Sequence, residues 1–223
     1  MDGGGDVNEH VFDFAEEGTI DRAIFDDDFE LFSSILTLRP EDKYKEIELI
    51  YSTATQLQAA AYFGSLKCFK FLVMNDVEIT EDVCKYAIKG GSVELVHLCE
   101  QSGMEFIDCV ETAIQYHRFE LFEWLNTHFE CEFSLCDCLK FSNVPTFFFK
   151  ISQTADISER DERGMTPLHY ASSNGLINVV EFLVSKGADV NEKSEDGTSS
   201  LHIASLIGHL NIAEFLVKII NNI

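Results

Sequence analysis

Two successive stretches of this chain repeat each other in register, and that period limits what it can fold into more than any other property. "DERGMTPLHYASSNGLINVVEFLVSKGADVNEK" runs from Asp161 to Lys193, and "SEDGTSSLHIASLIGHLNIAEFLVKII" follows it at once. Gly164, Thr166, Leu168, His169, Ala171, Gly175, Phe182 and Leu183 recur as Gly197, Ser199, Leu201, His202, Ala204, Gly208, Phe215 and Leu216, each 33 residues later. A fixed period of this length marks one supersecondary unit copied along a line.

The unit can be read from its residues. Thr166 and Ser199 carry hydroxyls placed to cap a helix, and Pro167 occupies the first helical position, where a missing N–H costs nothing. Leu168 and Ala171 share one face of that helix, and Gly175 or Gly208 can take the left-handed conformation that ends it. A second helix begins near Asn178 and Asn211 and carries "VVEFLV" or "IAEFLV", an apolar stripe. After Gly187 the composition is that of a turn. One unit is therefore two short antiparallel helices and a polar loop.

With its "TPLH" tetrad, its "GADVN" close and its 33-residue period, the chain resembles an ankyrin-repeat protein. The second copy departs from the pattern at Ser200, which replaces the proline, and it ends before a second "GADVN". Upstream the same unit recurs in weaker form. Its anchors are Ala23, Ala60, Ala87, Ala113, Cys138, Ala171 and Ala204, spaced 37, 27, 26, 25, 33 and 33. Units of 25 to 27 residues hold two short helices and leave little for a projecting finger. The expected fold is all-α: an ankyrin-type solenoid of about seven helical pairs, with short loops or β-hairpin fingers in the C-terminal part. Residues 1–10 are expected to form a disordered tip. Degenerate, finger-poor repeats are expected over 11–157, and two near-consensus repeats, the last incomplete, over 158–223.

Composition fits this reading. Three prolines and 13 glycines in 223 residues leave no room for a long flexible linker, and 46% hydrophobic residues supply a core. No segment approaches the roughly 20 apolar residues of a membrane span. The opening "MDGGGDVNEH" lacks the basic and apolar regions of a secretory signal, so a cytoplasmic or nuclear site is expected. Seven cysteines at scattered spacing read as reduced thiols.

Four of the possible metal ligands, His128, Cys131, Cys136 and Cys138, fall within eleven residues. They form one loose group rather than two knuckles, and Cys138 stands where other repeats place a small buried alanine. Packing is the favoured reading, and neither a metal nor a cofactor is expected. The run "DDDFE" from Asp26 starts like a calcium loop but has Leu31 and Thr37 where the glycine and glutamate are needed. It reads as a solvated turn. His169 and His202, beside Ser172, Ser173, Ser199 and Ser200, lack the orienting acid and oxyanion donors of a catalytic site. The resemblance instead implies that both histidines bridge backbone groups within and between repeats.

Charge bears on partners. There are 39 acidic and 16 basic side chains, a net charge of −23. Such a field repels phosphate backbones, which argues against nucleic acid, and it favours partners with a basic surface or segment. The acidity serves solubility equally well. The resemblance implies a non-enzymatic scaffold or adaptor whose protein partner meets the loop tips and the concave first-helix face. Those positions are Glu162, Arg163, Met165, Ser173, Asn174 and Lys193, then Glu195, Asp196, Thr198, Leu206 and Ile207. Two readings from other classes remain: a regulatory or targeting module for a separate catalytic domain, and a zinc-stabilised structural protein. The crowding of Leu216, Val217, Ile219, Ile220 and Ile223 at the end adds an expectation of self-association through an uncapped C-terminal repeat.

Overall fold

A computed structural model describes residues 18–49, 52–106, 109–129, 131–153 and 156–221. The expected disordered tip at 1–10 lies outside the described residues. Fourteen α-helices occur among them and fall into seven consecutive pairs. They are α1 (Ile20–Phe25) with α2 (Phe29–Leu38), α3 (Gln56–Phe63) with α4 (Leu66–Met74), α5 (Glu81–Gly90) with α6 (Val93–Gln101), and α7 (Val110–Gln115) with α8 (Phe119–His128). There follow α9 (Leu135–Lys140) with α10 (Val144–Gln153), α11 (Pro167–Ser173) with α12 (Ile177–Ser185), and α13 (Ser200–Ile207) with α14 (Leu210–Ile220). Each of the seven sequence anchors lies on the first helix of its pair, and each is fully buried.

The anchor also sets how the first helix ends. Four residues beyond it stand Asp27, Gly64, Gly91, His117, Ser142, Gly175 and Gly208, and all seven have positive φ. The next amide in each case donates to the anchor's own carbonyl: Asp28 to Ala23, Ser65 to Ala60, Ser92 to Ala87, Arg118 to Ala113, Asn143 to Cys138, Leu176 to Ala171 and His209 to Ala204, at 2.8–3.2 Å. This is the closing bond of a left-handed helix stop, which turns the chain back into the second helix. A small buried side chain and a left-handed residue four positions later thus define every pair, including those whose sequences have drifted furthest.

The chain divides into two compact units, Met1–Thr112 with Thr127–Phe129, and Ala113–Asn126 with Glu130–Ile223. In the first, α1 packs on α2 and α3, and α3 packs on α4 and α5. A Cβ at Gly90 would lie 2.1 Å from the Tyr62 carbonyl oxygen, so the end of α5 approaches the end of α3 more closely than any side chain would allow. The longest spacing, 37 residues, holds a 3₁₀ turn (Pro40–Tyr44) and an antiparallel hairpin of β1 (Glu46–Leu49) and β2 (Ser52–Thr55), with Glu46 opposite Thr55 and Leu49 opposite Ser52. In the C-terminal part, where short loops or β-hairpin fingers are expected, the described residues form short loops with an isolated antiparallel bridge from Lys193 to Ser199.

In the second unit, α9 packs on α10 and α11, α11 on α12 and α13, and α13 on α14. Polar side chains tie neighbouring pairs. Asn143 Nδ2 donates to the Ile114 carbonyl at 2.8 Å, Asn174 Nδ2 to that of Leu139 at 2.5 Å, and His209 Nε2 to that of Ser173 at 3.1 Å. Leu216 is fully buried, whereas Leu201 is only half-buried because no further helix among the described residues covers α13.

Candidate partner-binding surface

The expected contact residues cluster in the turns before α11 and α13 and on those helices. The turn before α11 is built on Asp161. Its Oδ1 accepts from the Arg163 and Met165 amides at 2.9 and 2.8 Å, and its Oδ2 accepts from the Tyr170 hydroxyl at 2.6 Å. Burial works to raise this carboxyl, but the Tyr170 hydroxyl and the two amides outweigh it and hold the group below the usual carboxylate range. Burial and the Asp161 charge together push the Tyr170 phenol up to about 12. Before α13 the same design recurs with Ser194 and Asp196: Asp196 Oδ1 accepts from the Ser194 hydroxyl at 2.5 Å and the Thr198 amide at 3.2 Å. Both turns are thus fixed by their own carboxylates, which present the residues between them on a rigid frame.

His169 joins the two turns. Its Nδ1 accepts from the Thr166 amide at 3.1 Å and sits 2.8 Å from the Thr166 hydroxyl, while Nε2 donates to the Thr198 carbonyl of the next repeat at 3.1 Å. Burial pushes this imidazole below its ordinary value near 6.5. His202 makes only the first half of that bridge, with Ser199, and is exposed. His202 Nδ1 lies 3.0 Å from the Ser199 hydroxyl, and that pairing belongs to the capping box of α13, in which the same hydroxyl accepts from the His202 amide.

A cleft of about 540 Å³ opens between α9, the Asp161 turn and α11. Three of its charged groups, Asp137, Arg160 and Asp161, are bonded within the fold. Asp137 Oδ2 accepts from the Ser134 amide and hydroxyl at 2.9 and 2.8 Å, closing the cap of α9. Arg160 donates to the Lys193 and Gly164 carbonyls and to Glu192. Behind the cleft, Glu159 Oε1 accepts from the Leu135 and Cys136 amides, and burial raises its carboxyl even so. Lys140, Glu162 and Arg163 are exposed on its rim, with the Lys140 ammonium over the Phe141 ring.

The structure places the expected residues unevenly. Glu162, Arg163, Lys193, Glu195 and Asp196 are exposed, and Met165 and Thr198 are half-buried with backbone groups bonded inside the turns. Ser173 and Asn174 are half-buried and tie neighbouring helices. Leu206 and Ile207 stand out at 88% and 52% exposed. Sequence reasoning missed Tyr170, which occupies the variable position between His169 and the anchor Ala171, and Lys140, which belongs to a repeat too divergent to show its own variable positions.

Three of the four positions weighed for zinc, the cysteines, have other contacts or a packing role in the structure. Cys138 is buried at the anchor position, and burial pushes its thiol up to about 12. Cys136 directs its thiol to the Met165 carbonyl at 3.5 Å and Cys131 to that of Leu125 at 3.6 Å. Among the described residues no group of three or more histidine, cysteine or acidic side chains could hold a metal ion. No described helix is long and apolar enough to cross a membrane.

The model of the family described as ankyrin repeats, in three copies, matches residues 112–223, and the chain belongs to that family. The match reaches upstream of the two near-consensus repeats to a point inside α7 and takes in α8, α9 and α10. The crystal structure of the human ASB11 ankyrin repeat domain is similar in fold, with a TM-score of 0.58 at 17% identity over 87% of this chain and 96% of that one. No curated protein sequence matches the chain. Ankyrin repeats are in general protein–protein interaction modules, and the family is typically non-enzymatic.

Proposed function

We propose that this chain is a non-enzymatic scaffold or adaptor that binds a protein through the turns before α11 and α13 and the exposed face of those first helices. The observation that carries the reading is the pair Leu206 and Ile207. In the preceding repeat the equivalent Ser173 and Asn174 are bonded into the fold; here two large apolar side chains take their places and remain exposed. Exposed apolar side chains that stand together rather than singly mark contact surfaces. The exposed carboxylates of Glu195 and Asp196 in the turn leading into α13 favour a partner segment that is basic as well as partly apolar.

Capture from a lysate of the source cells, against a charge-matched acidic control, identifies the binder. The Leu206→Ser, Ile207→Ser double variant then weakens it by at least about 1–2 kcal/mol with the melting temperature nearly unchanged. A variant that melts early and binds as before would assign the pair to packing and remove this face from consideration.

A further inference from the structure

Comparing the last described repeat with its counterpart 33 residues earlier maps the face that α13 and α14 leave uncovered among the described residues. α13 packs on α11, and α14 on α12. Under that cover Leu168, His169 and Val180 are buried, whereas their counterparts Leu201, His202 and Ala213 are half-buried or exposed. Ile177 and Val184 are half-buried, and their counterparts Leu210 and Val217 are 70% and 43% exposed. On α14 the positions 210, 213, 214, 217 and 218 share one side of the helix. Leu210, Ala213 and Val217 form an apolar strip there, and Glu214 and Lys218, both exposed, stand one turn apart beside it.

The chain's charge vanishes on this face. The protein carries −23, yet from Ser199 to Asn221 Glu214 is the single acidic side chain and Lys218 the single basic one. Two copies of so acidic a chain repel each other over most of their surfaces, and here they can meet without setting carboxylate against carboxylate.

We propose that this face joins two copies of the chain in a two-fold dimer, with the two α14 helices antiparallel, Leu210 and Val217 at the centre, and Glu214 of each copy paired with Lys218 of the other. A two-fold contact is self-complementary, so a face with one charge of each sign completes both pairs at once. A head-to-tail contact would instead set this face against the stretch from α1 to α2, where Asp21, Asp26, Asp27, Asp28 and Glu30 outnumber Arg22, and Glu214 would meet like charge. A basic segment suits the face less well than a second copy, because Lys218 opposes its approach to the one carboxylate present. The inference goes beyond the docking of a partner at the turns. Leu206 and Ile207 end α13 just before this side of α14 begins, so a partner held by that pair competes with the second copy.

The test is sedimentation equilibrium of the full chain at physiological ionic strength. The parent is expected as a dimer that dissociates on dilution. Each substitution acts on both halves of a two-fold contact. Glu214→Lys and Lys218→Glu therefore each weaken association at least about tenfold, since like charges then meet at both pairs. Mixed in equal amounts, these two variants associate with each other as the parent does with itself. The double variant Glu214→Lys, Lys218→Glu exchanges the signs, keeps them complementary and dimerises like the parent. Leu210→Ser weakens association at least about tenfold by removing the apolar centre. Circular dichroism of dilute, monomeric samples shows the same helicity throughout, because these side chains are exposed.

A parent chain that stays monomeric up to roughly 0.2 mM overturns the proposal, as does an open series of larger species. So does dimerisation that Glu214→Lys leaves unchanged, or a failure of the two single variants to recover association when mixed. Capture of the basic partner is measured on the dilute monomer, so a failure of the dimer and a failure of the partner-binding face are told apart.

Discussion

His169 has every polar atom of its ring engaged, and that makes it the residue whose protonation the fold resists. Its Nδ1 must remain an acceptor for the Thr166 amide, while Nε2 donates to the Thr198 carbonyl. Adding a proton at Nδ1 would set it against the amide N–H. Its folded pKa is depressed by burial, so as pH falls below about 6.5 the unfolded chain takes up a proton that the folded chain refuses. Stability is therefore full above that value and declines as pH drops through the window below it. Urea unfolding measured between pH 7.5 and 5.5 should show this slope. It should be reduced in His169→Gln and kept in His202→Gln, whose ring is exposed.

The left-handed stops make a second test at this scale. Ser142 and Asp27 both hold positive φ without being glycine, which costs about 1–2 kcal/mol. The side chain of Asp27 repays this: its Oδ1 accepts from the Lys67 and Cys68 amides at the start of α4. Ser142→Gly should stabilise by about 0.5–1 kcal/mol, and Asp27→Gly should come out roughly 1 kcal/mol worse than that because it also loses a cap. Equal effects in chemical denaturation would show that the Asp27 carboxylate contributes nothing. The run "DDDFE" was legible as a turn and not as a calcium loop. Its use was not legible, since Asp26 pairs with Arg22, Asp27 caps α4 and Asp28 caps α2, and only the first and last of these partners are close in sequence.

At the scale of elements, the seven anchors located all seven first helices, because a small residue packed between helices is a property of the chain's own pattern. The stops were legible where they are glycine, at positions 64, 91, 175 and 208, and hidden where they are Asp27, His117 and Ser142. The hairpin β1–β2 was hidden as well. An interval of 37 residues reveals extra chain but not its conformation. Of the candidate surface, the apolar pair at 206–207 was visible by comparison with its own repeat, and the Tyr170 cleft was not. The cleft is assembled from α9, a turn and α11, and its character depends on which carboxylates are internally bonded.

Packing at this scale predicts graded losses. Leu216→Ala should cost about 2–5 kcal/mol, and Leu201→Ala less, since Leu201 is half-buried. Gly90→Ala should cost about 2–4 kcal/mol although it adds a single methyl group, because that carbon meets the backbone at Tyr62, which cannot rotate away. A Gly90→Ala protein as stable as the parent would mean that α3 and α5 are further apart than described.

For the molecule as a whole, the charge is the property that no single contact explains. Thirty-nine carboxylates face 16 basic groups, and ion pairs such as Arg22–Asp26 and Lys70–Glu94 lie at the surface, where each contributes little. Most of the acidic side chains therefore repel one another in the folded state more than in the expanded chain, and at low ionic strength that repulsion opposes folding. Salt screens both terms. It weakens the few surface attractions and the many repulsions together, and the repulsions are more numerous. Raising sodium chloride from 20 to 300 mM shortens the screening length several-fold and should stabilise the fold by about 1–2 kcal/mol, a rise of roughly 3–6 °C in melting temperature. The same salt should weaken binding of a basic partner, whose attraction acts through the same field, so stability and affinity should move in opposite directions along one titration. Circular dichroism melts and partner affinity measured on the same samples check this. A melting temperature that falls with salt would mean that the surface pairs outweigh the repulsion, and the acidity would then have to be understood as organised locally rather than as a net field.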